Sequence, residues 1–305
     1  MGASEAAQGG YERLESIPSL GGSYVAAVGG LLGRVKEVGA DSLPTGGLEV
    51  AGVRIDPERL LRFQRLLGDT VRDEVPSVFL HGIGFPLALA LMRRRDFPLP
   101  MIGMVHLSNR VRHLRAIRPD EVLTVRAEAR NLAAHHAGVS VELVTSLFVG
   151  GEPVWEGVSV YLAKGVRLKG APRVATPEHP AFAPGKTTGR WRLDATTGRR
   201  FAAVLGDYNP IHLSAVSAKA LGMPSSIAHG MYLAARALKS LAPHGTGYAW
   251  DVEFMTPVRL PGSVEFGVEK TEAGWRFAGW DARRMRPHFA GEVRALGSAE
   301  QEPPS

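Results

Sequence analysis

The chain has 305 residues, 45% of them hydrophobic and 22% charged, enough for a sizeable core and about two domains of ordinary size. A formal charge of +6 favours anionic partners, yet the aromatics do not interleave with the Lys/Arg clusters, so no nucleic acid is expected as the main partner. The lack of cysteine excludes disulfides, thiolate metal sites and a cysteine nucleophile, and fits a cytoplasmic protein.

Residues 1–48 read as an N-terminal extension. Met1-Gly2-Ala3-Ser4-Glu5-Ala6 has no basic start before an apolar core, so it is no secretory signal, and it lacks the Ser/Thr of a myristoylation site. Residues 24–32 are apolar but broken by Gly29-Gly30, far short of the roughly 20 residues of a membrane span, and read as a packed helix.

An internal repeat follows. Val53-Arg54-Ile55-Asp56 lies over Trp191-Arg192-Leu193-Asp194, and twelve residues after each Asp comes a glycine that opens a second match, Gly68-Asp69 over Gly206-Asp207. Both stretches predict helices: Asp56 is an N-cap with Pro57 behind it and Gly68 a terminator, and Asp194 and Gly206 take the same roles. Downstream, His81-Gly82 answers His229-Gly230, each opening an apolar run, with buried helices expected at 87–92 and 233–241. From Gly-Asp to His-Gly the spacing is 12 positions in the first copy and 22 in the second. The ten residues missing from the first are those that carry Asn209-Pro210-Ile211-His212.

After each helix the pattern turns to alternation. Residues 123–129 and 140–149 read as strands, with a hairpin turn at Gly150-Gly151 into 153–161, and 264–269 and 275–280 echo them. The unit is a helix followed by an antiparallel sheet, made twice, at 49–165 and 189–297. Residues 166–188, rich in Pro, Gly and Ala, read as a linker, and 298–305 as a polar tail.

Asp207 and His212 stand five positions apart across a Pro-bearing turn, with Asn209 between them. A carboxylate and an imidazole in one rigid loop can share acid–base work on a single water. Alone, Asp207 reads as a cap after Gly206 and His212 as a satisfied polar residue; together with Asn209 and His229-Gly230 the pattern points to catalysis. His229 reads as structural, and Asp69 and His81 as remnants without catalytic duty. Arg93-Arg94-Arg95, the set Arg110, Arg112, Arg115 and Arg118, and Arg283-Arg284 are either phosphate contacts or solvated faces. His135-His136 lacks further ligands nearby and reads as a loop, so no metal is expected. No P-loop or dinucleotide fingerprint occurs, and no cofactor is implied.

Gly206-Asp207-x-Asn209-Pro210-Ile211-His212, followed by Ile227-Ala228-His229-Gly230-Met231, resembles the MaoC-like, R-specific enoyl-CoA hydratases of the hydratase 2 type. The tandem arrangement is similar to their double-hotdog members, which include 3-hydroxyacyl-thioester dehydratases. The motif resemblance covers about residues 190–262, the fold-level pattern covers 50–165, and nothing matches before residue 45. It implies an α+β double hotdog, each half a long helix wrapped by a curved antiparallel sheet. The activity implied is reversible hydration of trans-2-enoyl thioesters of CoA or acyl carrier protein to (3R)-3-hydroxyacyl thioesters, in fatty acid metabolism, with a homodimer of such chains as one possible assembly. By the same resemblance Asp207 and His212 are the catalytic pair, Asn209 fixes their loop, and the Gly230 amide meets the thioester oxygen. The half lacking the loop would wall the acyl chain, and its deletion would leave a groove for longer tails. Two positions depart from the family: Leu238 stands where a serine is common, and Gly262-Ser263 replaces a Gly-Asp. Acyl-CoA thioesterase and a non-catalytic acyl-thioester-binding subunit are the alternatives.

Overall fold

The computed structural model describes residues 10–19, 36–178 and 182–297. The helix expected at 24–32, the tail at 298–305 and the first nine residues lie outside the described residues. Two short strands come first, β1 (Glu12–Arg13) and β2 (Glu37–Val38), then β3 (Leu48–Arg54) and α1 (Pro57–Leu67). The Asp56 carboxylate accepts from the amides of Glu58 and Arg59, and Gly68 ends the helix, as expected. Helix α2 (Ser77–Met92) is buried on nearly every face. Strands β4 (Val105–His113), β5 (Val122–His135), β6 (Gly138–Val149) and β7 (Glu152–Lys164) complete the first half, with α2 lying on β5 and β6.

After β8 (Arg167–Leu168) the plan repeats with β9 (Gly189–Leu193) and α3 (Thr197–Leu205). Two short helices, α4 (Pro210–Leu213) and α5 (Ala215–Ala220), fill the segment with no counterpart in the first half. Helix α6 (Gly230–Leu238) follows, then β10 (Tyr248–Phe254), β11 (Gly262–Lys270), β12 (Gly274–Asp281) and β13 (Arg286–Ala295). One sheet of eleven strands runs β1-β3-β5-β6-β7-β4-β10-β13-β12-β11-β9, and every pairing except β1–β3 is antiparallel. The halves join edge to edge where β4 pairs with β10, from His113 opposite Tyr248 to Ser108 opposite Glu253. This is the double hotdog. Among the described residues no helix is long and apolar enough to cross a membrane.

Several sequence expectations are corrected. The helix expected at 87–92 starts ten residues earlier, at Ser77, so His81-Gly82 lies inside it. With the ten residues gone, the chain turns straight from Val75-Pro76 into helix, Phe79 and Leu80 already bonding the Pro76 carbonyl. Asp194 bonds the Thr196 amide and hydroxyl instead of opening the helix directly, and α3 begins at Thr197. Helix α6 ends at Leu238, and only a turn continues to Ala242. Part of the expected linker is structured: β8 pairs with β2.

The seam has a polar bolt. The Ser77 hydroxyl accepts hydrogen bonds of 2.8 Å from the indole N–H groups of Trp155 on β7 and Trp250 on β10, so one oxygen ties both halves to α2. All three side chains are buried. Removing one acceptor strands two donors, each worth about 1–3 kcal/mol when buried without a partner. Ser77→Ala is therefore expected to destabilise the protein by about 2–4 kcal/mol in urea unfolding, and an unchanged midpoint would refute the bridge.

Candidate active site

Helix α3 closes at Gly206, whose φ of 87° lies in the left-handed region, and this turns the chain so that Asp207 leaves the helix axis. The Asp207 carboxylate accepts from the Asn209 amide at 3.2 Å, and the Asn209 side chain accepts from the Ile211 amide at 3.4 Å, capping α4 ahead of its proline. The His212 amide in turn bonds the Asn209 carbonyl at 3.0 Å. Residues 207–212 are thus locked by their own short-range bonds.

The partner segment is 226–230. The amide of Ile227 bonds the Ile211 carbonyl, and that of Ala228 bonds the Val258 carbonyl, strapping this segment between the loop and the turn after β10. Ile227 also supplies the carbonyl that accepts from His212 Nδ1 at 2.9 Å. A donating Nδ1–H fixes the tautomer and leaves Nε2 as the basic nitrogen. The His229 ring stacks on His212 with centroids 3.7 Å apart, and its Nε2 donates to the Asp207 backbone carbonyl at 2.9 Å while lying 3.8 Å from the carboxylate. His229 therefore touches both members of the expected pair.

Burial dominates the charge states. It pushes His212 down to about 3, helped by the neighbouring His229 and opposed by Asp207 and the Ile227 carbonyl. Burial also holds His229 below the ordinary imidazole value. Both rings are neutral at neutral pH. Asp207, His212 and His229 each offer an atom within 4.8 Å of the others, a span that suits one water or one small cation. The nitrogen of His229 nearest the carboxylate already donates to a carbonyl, which favours the water.

Gly230 is the first residue of α6, so its amide has no acceptor within the helix and sits at the positive end of the dipole. A Cβ there would meet the Phe254 ring at 2.8 Å, so any side chain at this position would have to push that ring aside. Asp207, Asn209, His212 and Gly230 all line one cavity of about 310 Å³. The first half supplies its far wall: apolar Phe85, Leu89, Met101 and Met104, together with His81, His106 and Tyr161.

A second cavity, of about 60 Å³, holds Asp69 and Leu238. Asp69 lies 3.7 Å from Arg72, and the Gly82 amide falls inside α2, where the helix employs it. The departure at Leu238 thus points into the smaller cavity and not toward Asp207. Four arginines of the noted clusters meet carboxylates: Arg94 pairs with Asp96 and Glu12, Arg110 with Glu142, Arg115 with Glu121, and Arg118 with Asp120. His135 ends β5, and its ring lies tilted against that of His136 in the hairpin turn. Lys164 lines the larger cavity, and nothing in the sequence singled it out.

The larger omissions are Gly198 and Arg59. A Cβ at Gly198 would collide with the His212 carbonyl, so this glycine lets α3 pass against the loop it precedes. Arg59 donates to three carbonyls, those of Val204, Leu205 and Gly82. Neither residue belongs to a motif, and only the tertiary approach reveals it.

Residues 176–280 match the MaoC-like domain family. The 3-hydroxyacyl-thioester dehydratase X of Mycobacterium tuberculosis is 31% identical over 258 residues, covering 84% of this chain and 91% of that protein. A crystal structure of HtdX from that organism matches with a TM-score of 0.72 and 29% identity, over 82% of this chain and 100% of the other. A MaoC-like dehydratase from Phytophthora capsici shares the fold, with a TM-score of 0.65 at 17% identity over 86% of this chain and 99% of its own.

Gly198→Ala is expected to displace the His212 backbone, lowering stability by about 1–3 kcal/mol as overpacking does. Histidine NMR would show His212 shifted from its wild-type ring environment. Gly189→Ala, where a Cβ meets nothing within 4 Å, is the control and should leave both unchanged.

Proposed function

The chain belongs to the MaoC-like dehydratases, and from that premise we propose that it interconverts trans-2-enoyl and (3R)-3-hydroxyacyl thioesters through Asp207 and His212. One observation carries the reading: the Asp207 carboxylate and a neutral, tautomer-fixed His212 share a cavity with the first amide of α6, close enough to hold a single water.

In hydration, His212 Nε2 takes a proton from this water as its oxygen bonds C3, and the Asp207 carboxylate accepts the remaining O–H and orients the attack. Electrons of the C2–C3 double bond move toward the thioester oxygen, where the Gly230 amide meets the growing negative charge. The proton on His212 then passes to C2 on the same face, so that one water has been added and both side chains are restored. Dehydration runs the same steps backwards. Positioned acid–base groups contribute about 10²–10⁴-fold, and an aimed donor on the developing oxyanion about 10²–10³-fold. His229 acts at one remove, holding the Asp207 carbonyl and backing the His212 ring.

On this reading residues 189–297 are the catalytic hotdog domain and 49–165 a non-catalytic one that walls the acyl chain, with 166–188 between them and one active site per chain. The substrate is a CoA or acyl-carrier-protein thioester, the setting is cytoplasmic, and a homodimer of such chains is the assembly to look for.

The direct test follows enoyl absorbance with crotonyl-CoA and a long-chain trans-2-enoyl-CoA, with chiral analysis of the product. Asp207→Asn and His212→Ala are each expected to lower kcat by about 10²-fold or more while the (3R) product marks the wild type. Release of free thiol instead would make the protein a thioesterase, and thioester binding without turnover would make it a binding subunit.

The pH profile gives a second check. A base works only when deprotonated, and burial lowers His212 to about 3, so the neutral form persists well below the ordinary imidazole range. kcat/KM is expected to stay level from pH 7 down to pH 5 in folded protein. An acid limb centred near 6.5 would show that His212 is not held neutral.

A further inference from the structure

Arg59 stands on the first turn of α1, in the half without the acid–base loop. Its guanidinium lies over the Phe79 ring, 5.4 Å from the centroid, at the meeting of α1, α2 and α3. Nε donates to the Val204 carbonyl at 2.7 Å, and Nη2 donates to the Leu205 carbonyl at 3.1 Å and to the Gly82 carbonyl at 3.0 Å. Val204 and Leu205 close α3, and carbonyls at a helix C-terminus lack intrahelical partners and carry the negative end of the dipole. A half-buried cation is well matched to them, and charge-assisted bonds of this kind are the stronger ones. Shape supports the same contact: a Cβ at Gly82 would lie 2.8 Å from Leu205 Cδ1, so the α2 backbone already grips the end of α3.

The next residue is Gly206, and the one after it is Asp207. We propose that Arg59 is a positioning residue for Asp207, fixing the end of α3 and with it the point at which the carboxylate meets the water shared with His212. The inference rests on the hydratase reading of the site. Asp207 is then held from both directions, by Arg59 through the two carbonyls upstream and by His229 through its own carbonyl. Its carboxylate is held in turn by the Asn209 amide. A misplacement of about 1 Å in such a group costs on the order of 10²-fold in rate.

A cation that merely bolted the halves together would affect stability alone, so the test separates rate from folding. Arg59→Met keeps the stem over Phe79 and removes the donors. Its kcat on crotonyl-CoA is expected to fall on the order of tenfold to a hundredfold, with KM changed by less than about threefold. Added guanidinium chloride at non-denaturing concentration should recover part of the rate, and Arg59→Lys should lie between the two. Amide exchange at residues 204–207 should quicken in Arg59→Met while exchange in α6 does not. An unchanged kcat, or a fall matched by loss of folded protein with exchange at 204–207 as slow as in wild type, overturns the proposal. If the wild type turns over no enoyl thioester, the hydratase reading fails instead. Exchange at 204–207 then still decides whether Arg59 holds the segment.

Discussion

The antiparallel pairing of β4 with β10 is the constraint on which the cavity depends. It turns two half-sheets into one and brings the ends of both strands to the same place. His106 near the start of β4 and Phe254 at the end of β10 meet with ring centroids 5.1 Å apart, and both line the larger cavity. Phe254 in turn presses on Gly230, so the seam sets the position of the amide proposed to meet the thioester oxygen. Separating the halves would expose the wall of α2 side chains on one side and the loop on the other. The bridge from Ser77 to Trp155 and Trp250 secures the same junction from within the core.

Inside that frame, hydrogen bonds to main-chain carbonyls decide what the histidines can do. His212 and His229 each spend one nitrogen on a carbonyl, Ile227 for the first and Asp207 for the second. Such bonds settle tautomer and ring orientation together. Burial then removes the charged form, since an imidazolium in this setting would lose its hydration and face a second imidazole across the stack. The desolvation that would be a defect in a charged pair is what keeps a proton acceptor available here. Asp207 stays at the cavity edge, with a quarter of its side chain exposed (26%), where its carboxylate retains access to water.

The second copy of the repeat was legible because its chemistry is local. Asp207, Asn209 and His212 lie within six residues, and Gly206 and Pro210 write the turns between them. Helix α1 was legible for the same reason, with Asp56, Pro57 and Gly68 marking its ends. Strand β4 was less so, its sequence VHLSNRVRH setting polar residues into the packed face, whereas β10, YAWDVEF, alternates as a half-buried strand does. Asn109 even lies buried on β4, its side chain accepting from Ser159, which defeats any reading by hydrophobicity. Arg59 and Gly198 were illegible in another way: each answers to a residue well over ten positions away, and no local pattern announces the meeting.

The same distance between local and tertiary information explains what became of the first copy. With ten residues fewer between Gly68-Asp69 and His81-Gly82 than between the matching landmarks of the second copy, the chain enters α2 early, at Ser77. Extending the helix backwards to Ser77 places the Gly82 amide in mid-helix, where a carbonyl one turn earlier claims it and no ligand can. Asp69, without an imidazole from its own loop, settles near Arg72 beside a cavity about a fifth the size of the other. Yet the longer α2 that results carries Phe85 and Leu89 into the larger cavity and turns the Gly82 carbonyl toward Arg59. One deletion thus accounts both for the groups the first half cannot offer and for the wall and the anchoring carbonyl that it does.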